Sequence, residues 1–247
     1  MQFFGYLFEI KFVEMCLRGS KRDMDIIRLW MYNICMFWQK VKEFFPYILF
    51  GLYVLEFIYL AFSPFDRTDW WAENIPVLIV VFVLVLTFKK FRFSNLSYFL
   101  IALFLMYHTI GGHFTFEKVP FYYGNQLLSY LHLDLLFNPG RNNFDRLGHF
   151  LVGVFTFPIA EFVFRKKIVK NIFWASLFGF LAIVSWAAIY EIIEMLYALS
   201  MGSQAGAAFL GSQGDIWDAQ KDMLLDLCGA ILFGIIFIFS RRSWSLF

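Results

Sequence analysis

Charge is what this sequence has least of. Only 16% of its 247 residues are Asp, Glu, Lys or Arg, against about a quarter in an ordinary soluble domain, so most of the chain has no means of facing water. Cysteine is scarce and odd in number: Cys16, Cys35 and Cys228 have no metal-type spacing, which excludes a disulfide framework and leaves each as a small buried hydrophobe. The net charge of +2 gives no global attraction for nucleic acid. The first 20 residues lack an uninterrupted apolar run before a small-residue cleavage site, so no cleavable signal peptide is expected. There is no G-x-S-x-G elbow, no phosphate-cradling glycine loop, no H-E-x-x-H and no internal repeat. The Asp-Gly and Ala-Arg pairs of CDP-alcohol phosphotransferases are missing as well.

What the chain does have is apolar bulk, 60% hydrophobic and 22% aromatic, arranged in blocks near the length that crosses a bilayer. A hydrocarbon core of about 30 Å takes roughly 20 helical residues at 1.5 Å each. The expected architecture is therefore all-α, a polytopic membrane bundle of about six transmembrane helices. Residues 1–43 form an N-terminal extension in which 24–38 (MDIIRLWMYNICMFW) reads as an interfacial amphipathic helix. Residues 44–247 form the transmembrane domain, with spans at about 44–63, 75–88, 97–113, 147–164, 172–199 and 222–240. Between the third and fourth spans, Leu127, Leu128, Leu131 and Leu135 share one helical face, which suits an interfacial or re-entrant helix before a turn at Pro139-Gly140.

Lysine and arginine placement sets the orientation. Sixteen of them fall before span 1, after spans 2 and 4, and in the tail with Arg241 and Arg242; five (Arg67, Lys118, Arg141, Arg146, Lys221) fall in the other loops. Both termini are thus expected in the cytoplasm, in a multi-pass inner (cytoplasmic) membrane protein. Twelve of the acids lie in the outer loops or at outer helix ends, Asp66, Asp69, Glu73, Glu117 and Asp134 among them. His113, His132 and His149 lie at that level too, with His108 little more than a turn below.

Three blocks carry the chemistry. In FDRLGHF (144–150), Asp145 and His149 are one turn apart on one face, which suits either a paired ligand or an N-terminal cap beside a headgroup-facing imidazole. In YEIIE (190–194), Glu191 and Glu194 are neighbours inside span 5, where a carboxylate costs about 2.5–3.5 kcal/mol and marks a partner, an ion or a wet cavity unless the helix has already left the membrane. In GDIWDAQKDMLLDLCGA (214–230), Asp215, Asp218, Asp222 and Asp226 form one stripe entering the bilayer, with Asp215 equally suited to a cap. Imidazole with carboxylates suits zinc, manganese or iron, and carboxylates with water suit magnesium or calcium. The candidate metal ligands are His113, His149, Glu191, Asp222 and Asp226. Asp145, His149, Glu191 and Glu194 are the candidate acid/base groups, and Arg141, Arg146 and Asp218 would contact substrate, the arginines gripping an anion. Of the remaining intramembrane acids, Glu161 is placed to pair with Arg165, while Glu56 has no evident partner.

On SPFDRTDWWAENIPVLI (63–79), GGHFTFEKVP (111–120), RNNFDRLGHF (141–150), YEIIE (190–194) and FLGSQGDIWDAQKDM (209–223), the chain resembles the YjdF family of bacterial inner-membrane proteins. The resemblance covers essentially everything after the extension and implies the membrane architecture rather than a reaction. A fainter likeness reaches the VanZ-like membrane proteins, some linked to glycopeptide resistance. Their D-K-x-x-H-F is similar to Asp145–Phe150, their E-x-x-Q to Glu191–Glu194 with Glu for Gln, and their D-x-x-x-N-x-x-G to Asp222, Asp226 and Gly229 with Asp for Asn. Both departures add acid, which favours a cation. The leading expectation is an outer-face site that holds a divalent metal and acts on, or holds, a lipid or lipid-linked envelope precursor. The alternatives are a proton- or ion-coupled transporter and a non-catalytic assembly factor.

Overall fold

The computed structural model describes residues 21–134, 136–138, 140–201 and 213–240. Residues 1–20, Leu135, Pro139, 209–212, Arg241 and Arg242, and the Cys35 side chain, on which the sequence sets expectations, lie outside the described residues. Every regular element among the described residues is helical: α1 (Lys21–Leu60), α2 (Arg67–Thr87), α3 (Asn95–Phe114), α4 (Tyr122–Tyr130), α5 (Phe144–Val152), a 3₁₀ turn (Gly153–Phe155), α6 (Thr156–Arg165), α7 (Ile172–Met201) and α8 (Asp218–Phe239). Among the described residues, six stretches are long and apolar enough to cross a membrane: Tyr32–Leu60, Arg67–Thr87, Asn95–Phe114, Phe144–Arg165, Ile172–Ser200 and Asp218–Phe239.

The helix starts differ from expectation where capping chemistry decides them. The interfacial helix and span 1 are one continuous α1, because QKVKEF between them contains no breaker and Pro46 removes a single amide donor. By its contacts the chain divides after Ile48 into two compact units. The described part of the first, residues 21–48, is entirely helical. The second, Leu49–Phe247, holds the last turns of α1 and all the other helices.

Helix α2 begins eight residues earlier than the apolar run suggests. The Asp66 carboxylate accepts from Thr68 N (2.7 Å) and Asp69 N (3.0 Å), satisfying two of the free amides at the helix start. Glu73 thereby moves from a loop into a helix interior. Likewise α8 starts at Asp218. The leucine-rich segment gives only the nine residues of α4, and His132, at φ 54°, turns the chain left-handed just beyond it. Leu128 alone turns inward, onto Phe137 and Leu225.

Besides the small cluster of Leu128, Phe137 and Leu225, two packing centres among the described residues join the long helices of the second unit. Tyr53, Val77, Ile101 and Leu105 join the end of α1 to α2 and α3. Leu100, Val154, Phe157, Ala160, Val163, Ala175, Phe233 and Phe237 join α3, α6, α7 and α8. Large apolar side chains such as Phe82, Leu86, Phe178, Leu181, Leu196 and Ile235 remain exposed, which suits a lipid solvent. At the α5–α8 crossing, a Cβ on Gly153 would sit 2.2 Å from Gly229 C, and one on Gly229 2.0 Å from Phe150 O. Only glycine permits that approach. Asp226 lies three residues before the crossing on α8 and His149 four before it on the other strand of the contact, so the crossing brings them face to face.

Candidate functional site

His149 is the centre. Its Nδ1 lies 3.1 Å from Asp226 Oδ2, and its Nε2 lies 3.9 Å from Asp145 Oδ1. The Asp226 carboxylate can only accept, so the Nδ1 proton is held there and Nε2 is the nitrogen left for a ligand. One ligand atom from each of Asp145, His149 and Asp222 lie within 4.8 Å of one another. This trio is drawn from α5 and α8, the two helices that the glycine crossing locks together.

Several of these carboxylates lack partners. Asp226 is 1% exposed and its Oδ1 accepts no hydrogen bond. Asp222 is 3% exposed; its Oδ1 accepts none either, the nearest cation being Arg146 Nε at 3.7 Å. Glu191 has a buried Oε1 in the same condition. Buried acceptors without donors cost about 1–3 kcal/mol each, more when charged, and among the described side chains only Arg146 Nε, 3.7 Å from Asp222, brings a fixed positive charge close to this group. A divalent cation with carboxylate and imidazole preference fits that donor set.

Beside the trio lies a cavity of about 640 Å³. Glu73, His108, Asp145, His149, Tyr190, Glu194 and Asp226 are among its polar lining. Thr115 and Glu117 also line it, and the remaining lining is apolar, with Val80, Leu105, Val152, Ile159 and Ile183 among it. Three members, Glu73, His108 and Tyr190, form a second polar group that the sequence reading missed as a site. His108 Nε2 is 3.1 Å from the Glu73 carbonyl and 3.3 Å from Glu73 Oε2, and the Tyr190 hydroxyl donates to Glu73 Oε2 at 3.2 Å. The Asp66-x-x-Asp69 cap pattern was the available signal for Glu73, and an ionisable group in mid-span was the signal for His108. Nothing in the sequence marked Tyr190.

Other candidates stand elsewhere. His113 Nδ1 lies 2.7 Å from the Leu60 carbonyl, so it ties the end of α3 to the end of α1 and does not join the acids. Arg146 is 0% exposed; it donates to Asp215 (2.6 Å), Asp218 (2.8 Å) and the Leu136 carbonyl (2.7 Å). Arg141 also pairs with Asp218. Both guanidiniums and Asp218 thus form an internal network that pins the 136–146 segment to the start of α8. Asp215, ahead of α8, is held well below the usual carboxylate range by hydrogen bonds from Lys221 and Arg146. Asn142 and Asn143 complete the strap: Asn142 Nδ2 donates to the Glu117 (2.8 Å) and Val119 (2.7 Å) carbonyls, and Asn143 Nδ2 to Asn138 O (2.9 Å).

Residues 45–243 match the family described as "Predicted membrane protein (DUF2238)". Over 175 residues the chain is 36% identical to the inner membrane protein YjdF of Escherichia coli (strain K12), covering 70% of this chain and 79% of that relative. No solved structure matches.

Proposed function

The chain belongs to the DUF2238 family of membrane proteins, and on that premise we propose that this multi-pass inner-membrane protein holds a divalent cation and an amphiphilic ligand at its periplasmic end. The observation that carries the reading is the cavity, ionisable at one end and apolar along the rest. Lysine and arginine placement supports the periplasmic assignment of the ionisable end. A lipid or a lipid-linked envelope precursor has the shape this lining calls for.

Asp145, His149 and Asp222 would hold the cation, which supplies positive charge and Lewis acidity when bound. The chain's own residues do the rest. Asp226 orients the imidazole through Nδ1, and the glycine crossing fixes the spacing of α5 and α8. Tyr190 and His108 hold the Glu73 carboxylate at the cavity wall, where it can take or return a proton. Glu194 adds a second carboxylate, and Glu191 stands one turn nearer the membrane centre on the same helix. Arg141, Arg146 and Asp218 serve as scaffold in this reading, because they pair with one another and, through Arg146, with Asp215.

A transporter reading is disfavoured by the apolar plug of Phe157, Ala160, Val163, Phe233 and Phe237 between the cavity and the far end of α6. The test is elemental analysis of protein purified in a neutral detergent, followed by zinc and manganese titration. About one equivalent of divalent metal is expected in the wild type, with affinity reduced roughly 10–100-fold or more in His149→Ala. Protein that carries no metal and binds none on titration would refute the cation assignment.

A further inference from the structure

We infer that the cavity's occupant is a single-tailed amphiphile with an ammonium-type head, admitted sideways from the bilayer between α2 and α7. This rests on the amphiphile half of the proposal above; the head and the divalent cation share Asp145 and are alternative occupants of the polar end.

The head is argued from charge. Glu73, Glu117, Asp145, Glu194 and Asp226 line the cavity with two imidazoles, and no lysine or arginine is among the described residues lining it. The guanidiniums of Arg141 and Arg146 are turned instead to Asp215 and Asp218. A phosphate or sulfate head would enter a wall of like charge. An ammonium brings donors and no acceptor, the complement of a wall whose charged lining is carboxylate. The same wall carries two tilted aromatic rings, Trp186 and Tyr190 with centroids 5.9 Å apart, whose faces attract a cation.

The tail is argued from the apolar lining and its size. A volume of about 640 Å³ falls within the roughly 300–1,000 Å³ of pockets that enclose one small ligand, which suits one chain rather than two. Entry is argued from exposure. Ile79 and Trp186 both line the cavity and are 58% and 43% exposed. Helix α2 packs chiefly on α3, and α7 on α6 and α8. The wall between α2 and α7 is therefore thin, tied at the polar end by the Tyr190–Glu73 hydrogen bond.

The experiment uses the full chain in a maltoside detergent with a chelator present, so that metal plays no part. Dodecylammonium, dodecylphosphocholine and dodecyl phosphate are titrated below their micellar concentrations, with Kd read by calorimetry and Tm alongside. Dodecylammonium is expected to bind at least about tenfold tighter than the phosphate and to raise Tm. Glu194→Gln is expected to weaken it several-fold while leaving the phosphate unchanged. Ala187→Trp, which fills the cavity, is expected to abolish binding; if that variant does not fold, Ala182→Trp at a half-buried lining position serves the same purpose. Equal or tighter binding of the phosphate overturns the head assignment alone. Undiminished binding in the folded tryptophan variant overturns the location. No binding by any of the three amphiphiles overturns the amphiphile reading of the function itself.

Discussion

The two ends of the span formed by α5 and α6 both bury acid, and they treat it in opposite ways. At the α6 end, Glu161 accepts from Ser94 N (2.8 Å), Ser94 Oγ (2.8 Å), Ser97 Oγ and Arg165 Nη1. Its carboxylate closes the start of α3, where Ser94 is the cap and free amides attract negative charge. At the α5 end, Asp145, Asp222 and Asp226 crowd one imidazole and leave Asp222 Oδ1 and Asp226 Oδ1 without donors. Burial alone therefore does not single out a functional acid. Unmet demand for positive charge does, and it separates a structural carboxylate from a candidate ligand within one helix pair.

The sharpest way to break that contrast is to neutralise one acid at each end. Glu161→Ala removes the acceptor of four donors, and breaking a buried, hydrogen-bonded pair costs about 3–5 kcal/mol. Asp222→Asn, measured with chelator present, removes a charge with no hydrogen bond at Oδ1 and should change stability by about 1 kcal/mol or less in either direction. Reversible unfolding in mixed micelles reads both. Equal losses at the two ends would mean that the α5 end is as satisfied as the α6 end, and the distinction would fall.

A middle-sized effect tests how the α5 end is built. Gly229→Ala forces a Cβ to within 2.0 Å of Phe150 O, and such overpacking costs about 1–3 kcal/mol. Because Asp226 sits on the turn before Gly229, pushing α8 off α5 should also part Asp226 from His149 and weaken cation binding. A Gly229→Ala protein that keeps wild-type metal affinity would show that the crossing does not set the site. A control away from both ends, Gly51→Ala in α1, meets nothing within 4 Å and should leave both measurements unchanged.

The six spans were legible because length and apolarity suffice in a bilayer, and Glu161 with Arg165 was legible because the pair is one turn apart. The stripe that meets His149 was legible for the same reason, since a helical period places Asp222 and Asp226 on one face. What escaped depends on contacts across the fold. Arg146 looked like a free cation, yet its partners lie 69 and 72 residues away. His113 has the right depth but turns to Leu60, 53 residues back, and no local spacing reports which way a helix end faces. Glu73 was set in a loop because the apolar run starts at Ile75, whereas the Asp66 cap starts the helix at Arg67.

The smallest effect concerns the seam between the scaffold and the site. Asp215 has its folded-state pKa lowered by Lys221 and Arg146, so its contribution is fully present above the ordinary aspartate value of about 3.9 and fades as pH falls below it toward the lower folded value. Lys221 is partly solvated, and Arg146 keeps Asp218 and the Leu136 carbonyl when Asp215 is lost. Asp215→Asn should therefore cost about 1 kcal/mol or less at neutral pH. Thermal unfolding from pH 7 down to about pH 3 should show the gap between wild type and variant closing below about pH 4. A gap that stays constant across that range would assign the difference to packing rather than to the ion pair. Arg146 would then be held chiefly by Asp218, and the seam would resemble the satisfied Glu161 end more than the acid cluster it borders.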